Sequence, residues 1–151
     1  MKSLKFTRTD IGFKELKGEC SLLVEVSNCG NHCKGCHSPH LQRDIGKEMT
    51  ELYSVIDKYR YHLTAICFLG HGDETQHEQF IALLRIVKKR YSKLNLGLYS
   101  GSDKIELAFM LELDYYKVGS YKHELGGLES PTTNQVMYNM TGDKTTVDLF
   151  Y

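Results

Sequence analysis

Apolar residues recur along the chain at two different spacings. Leu52, Val55, Ile56, Tyr59 and Leu63 fall at i, i+3, i+4, i+7 and i+11, a single helical stripe. The same spacing returns at Phe80, Leu83, Leu84, Val87 and Tyr91, while Arg85, Lys88, Lys89 and Arg90 take the opposite side as a solvated face. Short apolar runs of strand length stand around these helices at 20–26 (CSLLVEV), 64–69 (TAICFL), 95–99 (NLGLY) and 115–118 (YYKV). Ser102 is placed to cap a third helix carrying Ile105, Phe109 and Leu113. The predicted order is β-α-β-α-β-α-β, an α/β fold of mostly parallel strands joined by right-handed crossovers. From Ser120 onward the chain is polar and less regular, with the loop HELGGLESPTTNQ and one late strand near 145–150.

No repeat, low-complexity tract or linker interrupts this pattern, and Pro39 and Pro131 are the only prolines, so residues 1–151 are expected to form a single domain. A hydrophobic content of 41% is enough for a real core. With 19 basic and 19 acidic side chains and no run of like charge, the chain lacks the basic surface that nucleic acid or an anionic membrane would require. No apolar run approaches the roughly 18 residues of a membrane span. The opening MKSLKFTRTD has no secretory apolar core. Together with an odd count of five cysteines, that predicts reduced thiols in the cytoplasm.

Every predicted strand ends in a loop bearing chemistry, and in parallel α/β folds ligands bind at that C-terminal edge. After 20–26 comes SNCGNHCKGCHSPH, with Cys29, Cys33 and Cys36 spaced C-x3-C-x2-C. Cys20 and Cys67 lie inside apolar runs and read as small buried hydrophobes. Three clustered thiols leave three readings open. Structural zinc needs four ligands, and His32, His37 or His40 is near enough to complete the set. An electron-transfer cluster wants a fourth cysteine. Three thiolates can also hold three irons of a 4Fe–4S cluster and leave the fourth open to a substrate.

The C-x3-C-x2-C spacing directly after a first strand resembles that of the radical S-adenosylmethionine enzymes. The resemblance implies an open, partial β/α barrel, since a full eight-stranded barrel takes about 250 residues. It also implies a 4Fe–4S cluster on Cys29, Cys33 and Cys36, with S-adenosylmethionine chelating the fourth iron. Reductive cleavage of that cofactor gives methionine and a 5′-deoxyadenosyl radical, so the radical chemistry is borne by the cofactor and no protein residue is expected to be catalytic. Gly35 stands where many members place an aromatic residue beside the adenine, and His37 offers a flat ring next to it. Leu69-Gly70-His71-Gly72-Asp73-Glu74 resembles the family's glycine-rich loop that grips the methionine amino group. Gly70, Gly72 and either Asp73 or Glu74 would make those contacts, and His71, which has no counterpart in the pattern, is expected to be exposed. Ser100, in Tyr99-Ser100-Gly101, matches the segment lining the ribose and carboxylate.

Chain length, the KGCH variant and the stretch from Tyr116-Lys117-Val118-Gly119 to Thr132-Thr133-Asn134-Gln135 resemble one branch in particular, the activating proteins of anaerobic ribonucleotide reductase. That branch implies two partners: the glycyl-radical subunit of the anaerobic ribonucleoside-triphosphate reductase, and an electron donor such as reduced flavodoxin. The segment 121–135 is long and rich in turn formers, which suits a docking loop. The alternatives are a small-molecule enzyme of the same superfamily, similar to the one forming carboxy-deazaguanine, and a non-catalytic zinc module.

Overall fold

The computed structural model describes residues 3–27, 45–72, 74–119, 122, 124–126, 130–140 and 148–149. In chain order its elements are β1 (Lys5–Gly12), β2 (Ser21–Val26), β3 (Lys47–Glu48), α1 (Leu52–Tyr59), β4 (Ala65–Leu69), α2 (His77–Arg90), β5 (Asn95–Tyr99), α3 (Leu107–Met110), β6 (Tyr115–Val118), β7 (Val136–Asn139) and β8 (Asp148–Leu149). The strands form one open sheet ordered β3-β1-β2-β4-β5-β6-β7-β8.

The four strands anticipated from apolar runs are its centre. β2, β4, β5 and β6 pair in parallel, with Leu23 opposite Cys67, Cys67 opposite Gly97, and Gly97 opposite Tyr115. The sheet as a whole is mixed rather than mostly parallel, because four further pairings are antiparallel: β1 on β2, β3 on β1, β7 on β6 and β8 on β7. β1 (KFTRTDIG) pairs over six positions with a register shift between Phe6 and Arg8. Its side chains are mostly polar or half-buried, so it gives no run of apolar residues to read. Among the described residues no helix is long and apolar enough to cross a membrane.

Strict alternation along the central strands divides the sheet into two faces. Leu22, Val24, Ile66, Phe68, Leu96, Leu98 and Tyr116 point to one side, where they pack with Leu52 and Ile56 of α1, Phe80, Leu83, Leu84 and Val87 of α2, and Phe109 of α3. Phe80 sits edge-on between Phe68 and Phe109, with centroids at 5.3 and 5.5 Å, a favoured aromatic geometry. Arg85 and Lys88 bond Glu112 and Arg90 bonds Asp57, so the basic side of α2 is a solvated face laced with ion pairs.

The opposite face carries a smaller cluster of Leu16, Ala65, Cys67, Tyr115 and Met137. Leu16 comes from the turn that joins β1 to β2. It is fully buried against Gly97, where an added Cβ would lie 2.7 Å from its Cδ1. Tyr99 Oη donates to the Glu15 carbonyl at 2.6 Å, and both Tyr115 Oη and Asn95 Nδ2 donate to Glu19 Oε2 at 2.7 Å. This strap closes the second face from the N-terminal ends of β4, β5 and β6 as far as Tyr99, the last residue of β5.

The anticipated third helix shrinks to four residues. Ser102 does not cap it: Ser102 Oγ accepts from Lys104 N–H, and Ser100 Oγ accepts from Ser102 N–H, both at 3.1 Å. These hydroxyls bind the backbone two residues on, which favours turns over helix. Ile105 is consequently 45% exposed instead of facing the core.

Candidate functional site

Four segments leave the C-terminal ends of the parallel strands, and backbone bonds hold three of them together. Gly70 N–H donates to the Tyr99 carbonyl at 3.0 Å, joining the loop after β4 to the end of β5. Ser100 N–H donates to the Lys117 carbonyl at 2.8 Å, and Gly119 N–H to the Ser102 carbonyl at 2.7 Å, joining β5's loop to β6. Gly70 has φ +102°, and a Cβ there would lie 2.9 Å from the Val26 carbonyl oxygen at the end of β2. Only glycine accepts both that dihedral and that approach. Gly72 follows at φ +70°. The loop after β4 is thus pressed against the point where the cysteine-bearing segment begins.

Gly70 and Ser100 therefore lie at one edge, one hydrogen bond apart through Tyr99. Ser100 is 2% exposed, and its Oγ serves the local turn as an acceptor. Cys29, Cys33, Cys36, Gly35, His37 and Asp73 lie outside the described residues. Cys67 is fully buried, and burial pushes its thiol pKa far up, which keeps it protonated and unreactive. Cys20 is half-buried against the larger core. Among the described residues no group of three His, Cys, Asp or Glu side chains is placed to hold a metal ion.

Two residues at this edge are buried, one of them against expectation. His71 is 6% exposed rather than solvated, because its Nδ1 accepts the Gly101 N–H at 3.1 Å and its ring packs on His77. Lys117 is buried on the same sheet face as Cys67 and Tyr115, its ammonium donating to the carbonyls of Ser100 (3.2 Å) and Gly119 (3.0 Å). A lysine inside the apolar run YYKV was the available signal. A buried ammonium needs such acceptors, and here they fix the ends of β5 and β6 together.

Gly119 (φ +111°) has its Cβ position filled by Gln135 and Asn134, so it serves a turn rather than a ligand approach. The TTNQ stretch is tied down in the same way. Thr132 Oγ1 donates to the Leu125 carbonyl at 2.7 Å, Thr133 Oγ1 to the Gly126 carbonyl at 3.3 Å, and Gln135 Nε2 to the Gly119 carbonyl at 3.4 Å.

A family model described as a 4Fe-4S single cluster domain matches residues 17–121, which takes in the whole parallel core, the cysteine triplet and both loops described above. The chain belongs to this family. No curated protein and no solved structure matches it. As a 4Fe-4S single cluster domain the chain is an iron–sulfur protein, and thiolates are the ligands such clusters take. At this edge Gly70 and Gly72 hold the backbone at positive φ, and the Lys117 ammonium lies buried on the carbonyls of Ser100 and Gly119.

Proposed function

We propose that the chain is a radical S-adenosylmethionine enzyme that installs a glycyl radical on an anaerobic ribonucleoside-triphosphate reductase. The observation that carries this reading is the cysteine count: a single-cluster family match lies over a run of three closely spaced cysteines, not four. Cys29, Cys33 and Cys36 are the proposed ligands, and the remaining iron is left for the amino and carboxylate groups of S-adenosylmethionine. When bound, the cluster supplies the electron that cleaves this cofactor to methionine and a 5′-deoxyadenosyl radical. The open sheet, with its parallel centre and C-terminal loops, is then the partial barrel of that superfamily.

The chain's own residues have the remaining tasks. The carbonyls of the Gly70–Gly72 loop and the carboxylate of Asp73 or Glu74 accept from the ammonium of the cofactor. Gly35, His37 and Ser100 line its adenine and ribose. Lys117 holds the ends of β5 and β6 in register beneath it. Hydrogen abstraction from a partner's glycine is downhill because the product radical is delocalised over both flanking amides. It requires that the glycine loop enter the site, which suits an open sheet better than a closed barrel. Reduced flavodoxin is the electron donor this reading calls for, in the cytoplasm.

Anaerobically purified protein tests the class. Iron and sulfide in near-equal amounts, with 5′-deoxyadenosine released on adding dithionite and S-adenosylmethionine, are expected. Zinc without sulfide would sink the proposal and favour a zinc module. Docking is testable on the same protein. Shortening residues 126–131 should spare iron content and uncoupled cofactor cleavage while the glycyl radical on the reductase falls sharply. Normal activation by that variant would place docking elsewhere.

A further inference from the structure

The histidine between Gly70 and Gly72 is built into the fold in a specific protonation state. Its Nδ1 accepts the Gly101 N–H at 3.1 Å. A ring nitrogen that accepts carries no proton, so the bond selects the neutral imidazole with hydrogen on Nε2. The ring stands edge-on to His77 at the start of α2, with centroids 5.6 Å apart at 66°. His77 Nδ1 is in turn 3.0 Å from Glu106 Oε2, and its ring rests on Phe109 at 5.1 Å. His71 thereby joins the glycine loop after β4 to the serine loop after β5.

We propose that His71 is a positioning residue for the cofactor: its neutral imidazole latches the two loops together, and protonation releases them. This rests on the cofactor reading above, which assigns both loops to S-adenosylmethionine. A proton on Nδ1 would set two donors face to face, N–H against the Gly101 N–H, and the contact would open. The titratable and charged groups around the ring come from several elements. His77 and Glu106 engage each other beside it, and Asp73 and Glu74 follow it in its own loop. Asp103, two residues beyond Gly101, accepts from Asn134 at 3.5 Å. Lys117 places its ammonium on the carbonyl of Ser100, the residue before Gly101, and a second positive charge on His71 would be opposed by it.

The test uses the reconstituted holoprotein and two variants. In His71→Asn the amide Oδ1 takes the place of Nδ1 and accepts at any pH, whereas His71→Ala has no acceptor. Binding of S-adenosylmethionine is measured by calorimetry at about pH 8 and about pH 6, on either side of the ordinary histidine range. The wild type should bind more weakly at the lower pH, by no more than the roughly tenfold that one buried hydrogen bond supplies, because the bond that holds the neutral ring also opposes its protonation. His71→Asn should bind like wild type at pH 8 and keep that affinity at pH 6, and His71→Ala should be about tenfold weaker at both. Equal binding by His71→Ala and wild type at pH 8, or the same acid loss in His71→Asn as in wild type, would overturn the inference. Deuterium exchange over residues 99–104 without cofactor reads the latch separately: faster in His71→Ala and unchanged in His71→Asn is expected. Unaltered exchange in His71→Ala removes the latch. A wild type that fails to bind S-adenosylmethionine while its exchange pattern follows this expectation removes the cofactor reading instead.

Discussion

On the helix-covered face the parallel strands present Leu22, Val24, Ile66, Phe68, Leu96, Leu98 and Tyr116, each 1% exposed or less. On the other face the same strands present Glu25, Cys67, Tyr99 and Lys117, and among the described residues Leu16 and its strap lie over this face from the N-terminal ends as far as Tyr99. The two faces differ by a single residue step along each strand, yet one is built for stability and the other for a site. The first gains from every methylene removed from water. The second spends part of its area on groups that must be hydrogen-bonded to stay buried, Lys117 and Tyr115 above all. Tyr115 and Asn95 lie at its N-terminal edge under the strap, while Glu25, Tyr99 and Lys117 lie towards the C-terminal edge, next to the glycine loop and the start of the cysteine segment.

Substitutions should separate the two faces. The largest effect is expected at the cysteine triplet: Cys29→Ala, Cys33→Ala or Cys36→Ala should abolish iron retention and cofactor cleavage. Circular dichroism should stay close to native, since thiols that serve a cluster leave the apolar packing of the two faces in place. Cys67→Ala should keep the iron, and loss of iron in that variant would reassign the ligands. Next is Phe68→Ala on the helix-covered face, where removing a fully buried ring should cost about 3–5 kcal/mol in chemical denaturation. A loss under about 1 kcal/mol would mean that this face is not the main core.

The glycine loop should behave in the opposite way. Asp73→Ala and Gly72→Val are expected to weaken S-adenosylmethionine binding by about tenfold to a hundredfold, the range for one charge-assisted hydrogen bond, at unchanged iron content. Unchanged affinity in both would reduce the loop to a β-α turn. The smallest effect belongs to the helical side at alkaline pH. Burial, helped by the hydrogen bond from Tyr91 Oη to Asp57, pushes the Tyr91 phenol up to about 12. A phenol with its folded value raised above the unfolded value of about 10 favours the fold fully below pH 10. That contribution is lost as pH rises from about 10 through 12. Tyr91→Phe should flatten the stability curve in that window, and an unaltered curve would show that other groups govern it.

The face built for stability was also the legible one. Helical spacing located α1 and α2, and apolar runs located β2, β4, β5 and β6, because burial on one regular face leaves a period in the sequence. β1 and β7 escaped notice, since their residues are half-buried and mixed in polarity and they pair at the flanks of the parallel core. The third helix was overestimated because Ser102 looks like a cap and, with Ser100, acts as a turn former. At the candidate site the paired glycines were legible, since positive φ restricts residue type, while the cysteine triplet lies outside the described residues. The burial of His71 was not, because a loop side chain answers to a partner distant in sequence, here the Gly101 amide. Lys117 gave half a signal: its place in an apolar strand was visible, but its two carbonyl acceptors were not.

The central claim is that this iron–sulfur protein makes a radical for another protein. The direct measurement is electron paramagnetic resonance of the anaerobically reconstituted chain mixed with the anaerobic reductase, reductant and S-adenosylmethionine. A glycyl-radical doublet is expected on the reductase, requiring all four components and lost in Cys33→Ala. An iron–sulfur signal that responds to reductant, with no cofactor cleavage and no radical on the partner, would contradict it.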